Sequence, residues 1–422
     1  MLKLGKGKKE EKQAANQQLI KKTNLTLIFN LINKYGSISR AELAHVTGLS
    51  PTTVSSLAEE LIRHDIIFET GEGNTTTSGR KPIMLEVNPN GGYISSIEIN
   101  EKGYVFSLYN LKCNLVIEKK IEITEYNKIG FLIIRTIEET LLELKIPEEK
   151  LFGICLGVPG LIDIVNNRIT TSTIVPIDEN NDFYEHIKNR FDGITIFLGN
   201  ESWFSAYAEK EFGTDVNVNN LVFIDINTGV GAGIIVDGKI FTGSQGLAGE
   251  IGHMTIDMNG PLCKCGNRGC LETMISIPAI AESIISKTGY ESSSKSSPYI
   301  SITDDCTKSS SQIDFIQKAY YGNNSIAREV VDLAAKRLAF GITNIVNFIN
   351  PEIVVIGGEI TKLGEEFLEK IKYYMKDIQL KPNRGKVELK YSTLKGNTVT
   401  LGGAKYILDN ILNPGILLHT YQ

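Results

Sequence analysis

The chain has 422 residues, of which 42% are hydrophobic and 22% are charged, and its net charge is −5. This composition is that of an ordinary globular protein, and the length is sufficient for two or three domains. No apolar run approaches the roughly twenty residues that a membrane span requires. The charged N-terminus is not followed by the apolar stretch of a signal peptide. We therefore expect a cytoplasmic protein with no membrane partner.

The charges are distributed unevenly along the chain. Residues 1–90 carry 12 Lys and Arg against 9 Asp and Glu, whereas the remaining residues carry 32 against 40. A basic N-terminal part on an acidic body predicts that only the N-terminal part meets a polyanion.

The N-terminal part is predicted to hold a DNA-binding domain. Residues 1–15 are polar and are expected to form a disordered basic tail. Residues 16–88 have the pattern of three helices followed by two short strands around a polar loop, which is typical of a winged helix-turn-helix. Ser39 and Glu42 form the pattern of a capping box for the second helix, and Ser50-Pro51 is a start signal for the third. The alternative is a small helical interaction module with solvated charges.

Short polar side chains on the outer face of the third helix are the predicted DNA contacts. They can approach base edges and phosphates, and a basic wing tip suits a narrow minor groove. The predicted DNA-binding residues are Ser50, Thr52, Thr53, Ser55, Ser56, Arg80 and Lys81.

Residues 89–422 alternate strands and helices, after a linker at Pro89-Asn90-Gly91-Gly92. Two halves that each begin with a strand hairpin, near residues 93 and 221, predict a duplicated α/β architecture. The turn at 227–232 is rich in glycine and could cradle a phosphate, although tight hairpins use the same residues.

One segment, residues 246–272, combines a histidine with three of the six cysteines. His253, Cys263, Cys265 and Cys270 match the number and softness of ligands in a closed tetrahedral zinc site. Such a site has no open position, so the predicted Zn²⁺ is structural. The alternative is a disulfide or a set of buried cysteines with a chance histidine nearby.

Two carboxylates flank the predicted metal loop. Glu250 precedes His253 by three residues and Glu272 follows Cys270 by two. Carboxylates held on short tethers can accept hydrogen bonds from the hydroxyls of a sugar, whereas each alone is more often an ordinary solvated or helix-capping acid.

With these residues identified, the chain resembles the ROK family (repressors, open reading frames, kinases), and most closely the regulator branch typified by the xylose repressor. The motifs GLAGEIGH, CKCGNRGCLE, GVPG, GRKP and LGGA carry the resemblance, which extends from about Gln17 to Ala404. It implies an actin-like ATPase fold behind a winged helix-turn-helix and a bound zinc. It also implies a sugar site between two lobes and a homodimer, or a dimer of dimers, on a palindromic operator.

The resemblance also implies site residues. Sugar-binding positions of the family match Asn200, Glu250, His253 and Glu272, with Gly157 to Gly160 as a backbone wall. Glu201 replaces the aspartate base of family kinases and is expected beside the sugar as a degenerate base. A longer side chain at that position would misplace its oxygens.

The first phosphate loop of family kinases corresponds to residues 98–103, where glutamates replace glycines and would repel a triphosphate. We therefore expect a kinase-derived scaffold without phosphotransfer activity. The resulting hypothesis is a sequence-specific repressor of carbohydrate-utilisation genes, controlled by a sugar, with xylose suggested by resemblance only. The alternatives are an ATP-dependent sugar kinase with an accessory N-terminal head, and a regulator whose body only dimerises.

Overall fold

The computed structural model describes residues 7–72, 82–172, 174–213, 218–288, 309–381 and 385–411. The chain divides into two compact units: the first holds residues 1–158, 177–199 and 403–422, and the second holds residues 159–176 and 200–402. Within the described ranges, no helix combines the length and the apolar character that crossing a lipid bilayer requires.

The first unit opens with three helices and a small sheet. Helices α1 (Gly7–Tyr35), α2 (Arg40–Thr47) and α3 (Pro51–Arg63) precede strands β2 (Ile67–Glu72) and β3 (Ile83–Val87), and β1 (Ile38–Ser39) completes a sheet of order β1-β3-β2. Helix α1 begins inside the segment 1–15 for which the sequence predicts disorder, because its Lys, Glu, Gln and Ala residues favour helix. The predicted three helices and two wing strands are otherwise confirmed.

Local signals set the ends of α2 and α3. The Ser39 side chain accepts a hydrogen bond from the Glu42 amide, and the Glu42 carboxylate accepts one from the Ser39 amide at 2.9 Å, which confirms the capping box. Gly48 ends α2 in the left-handed region, with φ 70°. The Ser50 hydroxyl accepts from the Thr53 amide and starts α3. These ends fix the outer face of α3 relative to α2.

The rest of the first unit is a five-stranded sheet with helices. Strands β4 and β5 are antiparallel, and β4 also pairs in parallel with β7. The strand order is β10-β7-β4-β5-β6. The elements are β4 (Tyr93–Asn100), β5 (Gly103–Asn110), β6 (Leu115–Glu122), α4 (Ile129–Glu143), β7 (Leu151–Val158), α5 (Phe183–Arg190) and β10 (Thr195–Asn200).

The second unit repeats this plan. Strands β11 and β12 are antiparallel, β11 pairs in parallel with β14, and the order is β13-β12-β11-β14-β15. The predicted duplicated architecture is therefore confirmed. The elements are β8 (Leu161–Asp163), β9 (Arg168–Thr171), α6 (Glu201–Phe212), β11 (Leu221–Ile226), β12 (Val230–Val236), β13 (Lys239–Ile240), α7 (Glu272–Ile275), α8 (Ile277–Thr288), α9 (Ser309–Tyr321), α10 (Ser325–Ile349), β14 (Ile353–Gly357), α11 (Gly364–Ile378), β15 (Glu388–Tyr391) and α12 (Thr398–Ile411), the last shared with the first unit.

The core of the second unit lies between its sheet and helices α8, α10 and α11. Strands β11 and β14 contribute Ile224 and Ile356, and α10 contributes Leu338 and Ile342, all at most 1% exposed. Burying each such side chain contributes about 1.5–3 kcal/mol. This core supports the ends of β11 and β12, where the candidate site lies.

Candidate metal centre and sugar site

His253, Cys263, Cys265 and Cys270 converge on one point in the second unit. Their ligand atoms all lie within 4.8 Å of one another. The Nδ1 atom of His253 is 3.7 Å from the Cys263 sulfur, and the sulfurs of Cys265 and Cys270 are 3.6 Å apart. Tetrahedral ligands at zinc–sulfur distances of about 2.3 Å would be separated by roughly 3.7 Å. The donor set and its spacing therefore fit a four-coordinate metal ion.

The loop that carries the cysteines is held by its own backbone. The Cys263 amide donates to the Asn267 carbonyl at 2.7 Å, and the Ile256 amide donates to the Gly269 carbonyl at 2.8 Å. Gly269 has φ +67°, and a β-carbon there would lie 1.6 Å from the Asp257 carbonyl oxygen. Only glycine fits at this position, so the turn that aims Cys270 depends on it.

The cysteines differ in burial and in the pKa that follows from it. Cys263 and Cys270 are buried and Cys265 is exposed. Burial and the neighbouring thiols raise the pKa of Cys270, whereas a hydrogen bond from the backbone at Asn267 lowers the pKa of Cys265. A bound cation would stabilise all three thiolates, because its charge outweighs these local effects.

The two nitrogens of His253 face different groups. While Nδ1 points to the cysteines, Nε2 lies 3.9 Å from the Glu250 carboxylate. Burial raises the pKa of Glu250; His253 opposes this shift and Glu272 adds to it. The imidazole of His253 thus lies between the three cysteines on one side and the Glu250 carboxylate on the other.

Glu272 begins α7 and reaches the start of β12. Its carboxylate accepts a hydrogen bond from the Val230 amide at 3.1 Å. A β-carbon on Gly229 would lie 3.2 Å from the same carboxylate and 3.4 Å from the Ile174 side chain. The carboxylate therefore lies against the β11–β12 turn, with an apolar neighbour from the 159–176 segment that sequence reasoning did not identify.

Asn200 lies at the N-terminus of α6. Its side-chain oxygen accepts from the Ser202 amide at 2.8 Å, and its amide group donates to the Gly160 carbonyl at 3.0 Å. A β-carbon on Gly231 would lie 2.8 Å from the Ser202 hydroxyl. Glu272 thus contacts Val230, and Ser202, which follows the Asn200-Glu201 pair, lies close to the next residue of β12. The 250–253 region also adjoins β12, since a β-carbon on Gly252 would lie 2.2 Å from the Val230 carbonyl oxygen, and Gly160 is joined to Asn200 by the hydrogen bond above.

The glycine-rich turn before β12 is occupied by the side chains of the protein. Asn227 donates to the half-buried Asp225 carboxylate at 2.9 Å and accepts from the Glu359 amide at 2.7 Å. Desolvation raises the pKa of Asp225 to about 6. The Asn227 side chain thus ties the start of this turn to β11 and to the segment after β14. Sequence analysis identified the turn but not this bridging role of Asn227. The side chain of an Asn can both donate and accept hydrogen bonds, so its presence in a glycine-rich turn was a signal for such a role.

The corresponding turn of the first unit is the β4–β5 hairpin. Residues Asn100 and Gly103 are paired across a tight β4–β5 hairpin. The Tyr126 hydroxyl donates to the Asn100 carbonyl, and the Lys102 amide donates to the Asn100 side chain at 3.0 Å. Glu101 and Lys102 are exposed at the tip. That residues 98–103 do not bind a triphosphate stays a prediction, which rests on the two glutamates, Glu98 and Glu101.

The predicted DNA-binding side chains lie on the first unit. Ser50, Thr52 and Ser56 are exposed, and Thr53 and Ser55 are half-buried. The Ser50 hydroxyl also contacts the Thr52 and Thr53 hydroxyls at 2.8 Å, so its main role is to cap α3. Arg80 and Lys81 lie outside the described residues.

Comparison with known proteins assigns both parts of the chain. Residues 96–410 match the model of the ROK family, and residues 22–67 match a winged helix-turn-helix DNA-binding family. The chain belongs to the ROK family. The match covers most of the chain, so the expected fold, an N-terminal winged helix-turn-helix followed by a duplicated actin-like body, is confirmed.

Three similar ROK proteins refine this assignment. The xylose repressor of Bacillus subtilis (strain 168) is 30% identical over 401 residues, which are 94% of this chain and 98% of that protein. The N-acetylglucosamine repressor of Escherichia coli O6:H1 is 28% identical, covering 96% and 97% of the two chains. A crystal structure of a ROK family transcriptional regulator, described as a homologue of the Escherichia coli MLC protein, is 27% identical, with a TM-score of 0.80 over 95% of this chain and 98% of that chain. These relatives are regulators that match along nearly the full length.

Proposed function

We propose that this ROK protein is a sequence-specific DNA-binding transcriptional repressor of carbohydrate-utilisation genes and that a sugar bound by the second unit controls it. The proposal is carried by two features that occur in one chain. The first is a winged helix-turn-helix. The second is a pair of carboxylates, Glu250 and Glu272, beside a cluster of four potential metal ligands. The similarity to full-length repressors supports it. Such a protein is a regulator and not an enzyme, and it acts in the cytoplasm, where its operator lies.

The metal in this proposal is a structural Zn²⁺ held by His253, Cys263, Cys265 and Cys270. When bound, the cation supplies positive charge that keeps the thiols ionised and closes the loop. The chain itself contributes the rest. The loop backbone sets the direction of each ligand, and His253 presents its second nitrogen to Glu250.

The sugar in this proposal is bound by Asn200, Glu201, Glu250, His253 and Glu272. The carboxylates accept hydrogen bonds from hydroxyls, and hydrogen bonds to charged groups are about twice as strong as neutral ones. Xylose is the first candidate because of the B. subtilis relative, and N-acetylglucosamine is the second because of the E. coli relative.

The DNA in this proposal is a palindromic operator bound by a homodimer or a dimer of dimers. Thr52, Thr53, Ser55 and Ser56 face the major groove, Ser50 holds the start of their helix, and Arg80 and Lys81 enter the minor groove. Sugar controls binding only if it has different affinities for the DNA-bound and free states of the protein.

The test is a fluorescence anisotropy titration of the protein with the DNA upstream of its own gene, at moderate salt, with a panel of sugars. We expect specific binding that one sugar changes by about 5- to 150-fold, the range of typical allosteric coupling. Absence of DNA affinity would refute the proposal. Sugar-dependent ATP turnover that is lost in Glu201→Gln would instead establish the alternative of a sugar kinase.

A further inference from the structure

The segment that joins the DNA-binding head to the first five-stranded sheet is tightly packed. The sequence assigns Pro89-Asn90-Gly91-Gly92 to a linker, but residues 89–91 form a 3₁₀ turn and Gly91 is buried. A β-carbon on Gly91 would lie 2.2 Å from the Asp65 carbonyl oxygen, and one on Gly92 would lie 2.6 Å from the Phe152 ring. Two glycines therefore allow close packing here and do not serve as a flexible tether.

Asp65 is the centre of this joint. It follows the end of α3 and has a left-handed backbone with φ 60°. Asn88 donates to its carbonyl oxygen at 2.8 Å and to its carboxylate at 2.9 Å, and the Asn88 amide donates to the Ile66 carbonyl. Asp65, two residues after the end of α3, is thus fixed to the residues that precede the sheet.

Lys150 brings a third element to the joint. Its ammonium donates to the Asp65 carboxylate at 3.1 Å and to the Asn90 carbonyl at 3.0 Å. Lys150 immediately precedes β7, and β7 ends at Val158, where the chain passes into the second unit and the Gly160 segment. An eight-residue strand of about 26 Å therefore connects the joint to the predicted sugar-site backbone.

We propose that a rigid joint, formed by Asp65, Asn88, Gly91 and Lys150, fixes α3, the helix with the predicted DNA contacts, to β7. A displacement at the C-terminal end of β7 is passed along this strand to α3, and Lys150 is the positioning residue of the coupling. This inference rests on the proposed function for its signal, sugar binding, but the rigidity of the joint does not depend on that function. It differs from a model in which the head is tethered flexibly.

The first experiment measures hydrogen exchange of the full-length protein without DNA or sugar. Three amides that the joint protects, those of Asn88, Gly91 and Leu111, donate to carbonyls of Ile66, Asn88 and Pro89. We expect slow exchange at all three, as in the neighbouring strands. Exchange at the rate of an unstructured chain would overturn the joint whether or not the protein binds DNA.

The second experiment measures the ratio of operator Kd values with and without the effective sugar. We expect Lys150→Gln to reduce this ratio by about two- to fivefold, the range of an exposed salt bridge, with sugar affinity unchanged. Lys150→Arg should restore it. Lys128→Gln is the matched control, because it breaks an exposed ion pair with Glu125 elsewhere in the same unit.

Together, the two experiments distinguish a failure of this inference from a failure of the proposed function. If Lys150→Gln and Lys128→Gln give the same ratio as the wild-type protein, Lys150 does not couple the sites and the inference is wrong. If sugar leaves the operator Kd of the wild-type protein unchanged, the proposed function fails, and the exchange rates alone decide whether the joint is rigid.

Discussion

Glu272 offers the sharpest test of the site, because its carboxylate has one role in stability and another in the proposed sugar binding. In Glu272→Ala the Val230 amide loses its acceptor. An unpaired buried amide costs about 1–3 kcal/mol, so the free energy of unfolding should fall by that amount. In Glu272→Gln the side-chain oxygen can still accept from Val230, so the loss should stay below about 1 kcal/mol.

Sugar affinity should rank the same variants differently. Removing an ionised acceptor costs about 1.5–3 kcal/mol, so Glu272→Ala should bind the effective sugar roughly 10- to 150-fold more weakly. Glu272→Gln retains a neutral acceptor and should lose about 5- to 10-fold. Both variants thus bind sugar more weakly, but Glu272→Ala is destabilised more than Glu272→Gln.

The assays are urea unfolding followed by circular dichroism, and titration calorimetry with the sugar. Glu282→Gln, which removes an exposed acid of α8, is the control and should change neither quantity. Equal unfolding free energies for the Ala and Gln variants would refute the hydrogen-bond reasoning. Wild-type sugar affinity in Glu272→Ala would remove Glu272 from the sugar site.

Three further predictions concern the metal, a half-buried acid and the DNA face. After mild chelation, elemental analysis should find about one zinc per chain in the wild-type protein and in the control Lys264→Ala. It should find far less in Cys265→Ser, because losing one ligand weakens a closed site. Equal zinc contents in the three proteins would contradict a metal site at this cluster. Burial raises the pKa of Asp225 from 3.8 to about 6, so the folded state holds a proton that the unfolded state has lost, and unfolding free energy should fall by roughly 3 kcal/mol as pH rises from about 4 to 6. Urea midpoints of Asp225→Asn should lack this fall. Ser56→Asp should weaken operator binding at low salt without changing stability, because it adds a negative charge to the exposed DNA face; unchanged affinity in an anisotropy titration would exclude this face.

The sequence predicted the parts of the fold that local chemistry determines. The capping box at Ser39 and the Ser50-Pro51 start of α3 are formed, because each signal lies within three or four residues of the group that it satisfies. The cluster of His253, Cys263, Cys265 and Cys270 could likewise be predicted from the spacing of these residues in the sequence, because the glycines between them allow the turns that bring them together. The duplicated order of strands followed from hairpins that begin each half.

The sequence did not predict contacts between distant segments. Lys150 is 85 residues from Asp65 in the chain, and Glu359 is 132 residues from Asn227, so neither pairing leaves a periodic signal. The start of α1 was also missed, because the same Lys- and Glu-rich composition is compatible with a solvated tail and with an exposed helix. Distant hydrogen bonds of this kind are set by the topology of the sheets.

The hydrogen bonds around the β11–β12 turn bear on the proposal that the second unit binds a sugar and no nucleotide. Amide groups in such a turn need acceptors within the protein when no ligand supplies them, because buried unpaired amides are costly. Here Glu272 accepts from Val230 and Asn227 accepts from Glu359. Glu272 also belongs to the proposed sugar site, so one carboxylate both occupies the turn and faces the ligand. A triphosphate would have to displace these groups and approach the half-buried Asp225 carboxylate, whereas a neutral sugar would not. The proposed function therefore assigns Glu250 and Glu272 to the hydroxyls of a neutral sugar, which they would not repel as they would a triphosphate.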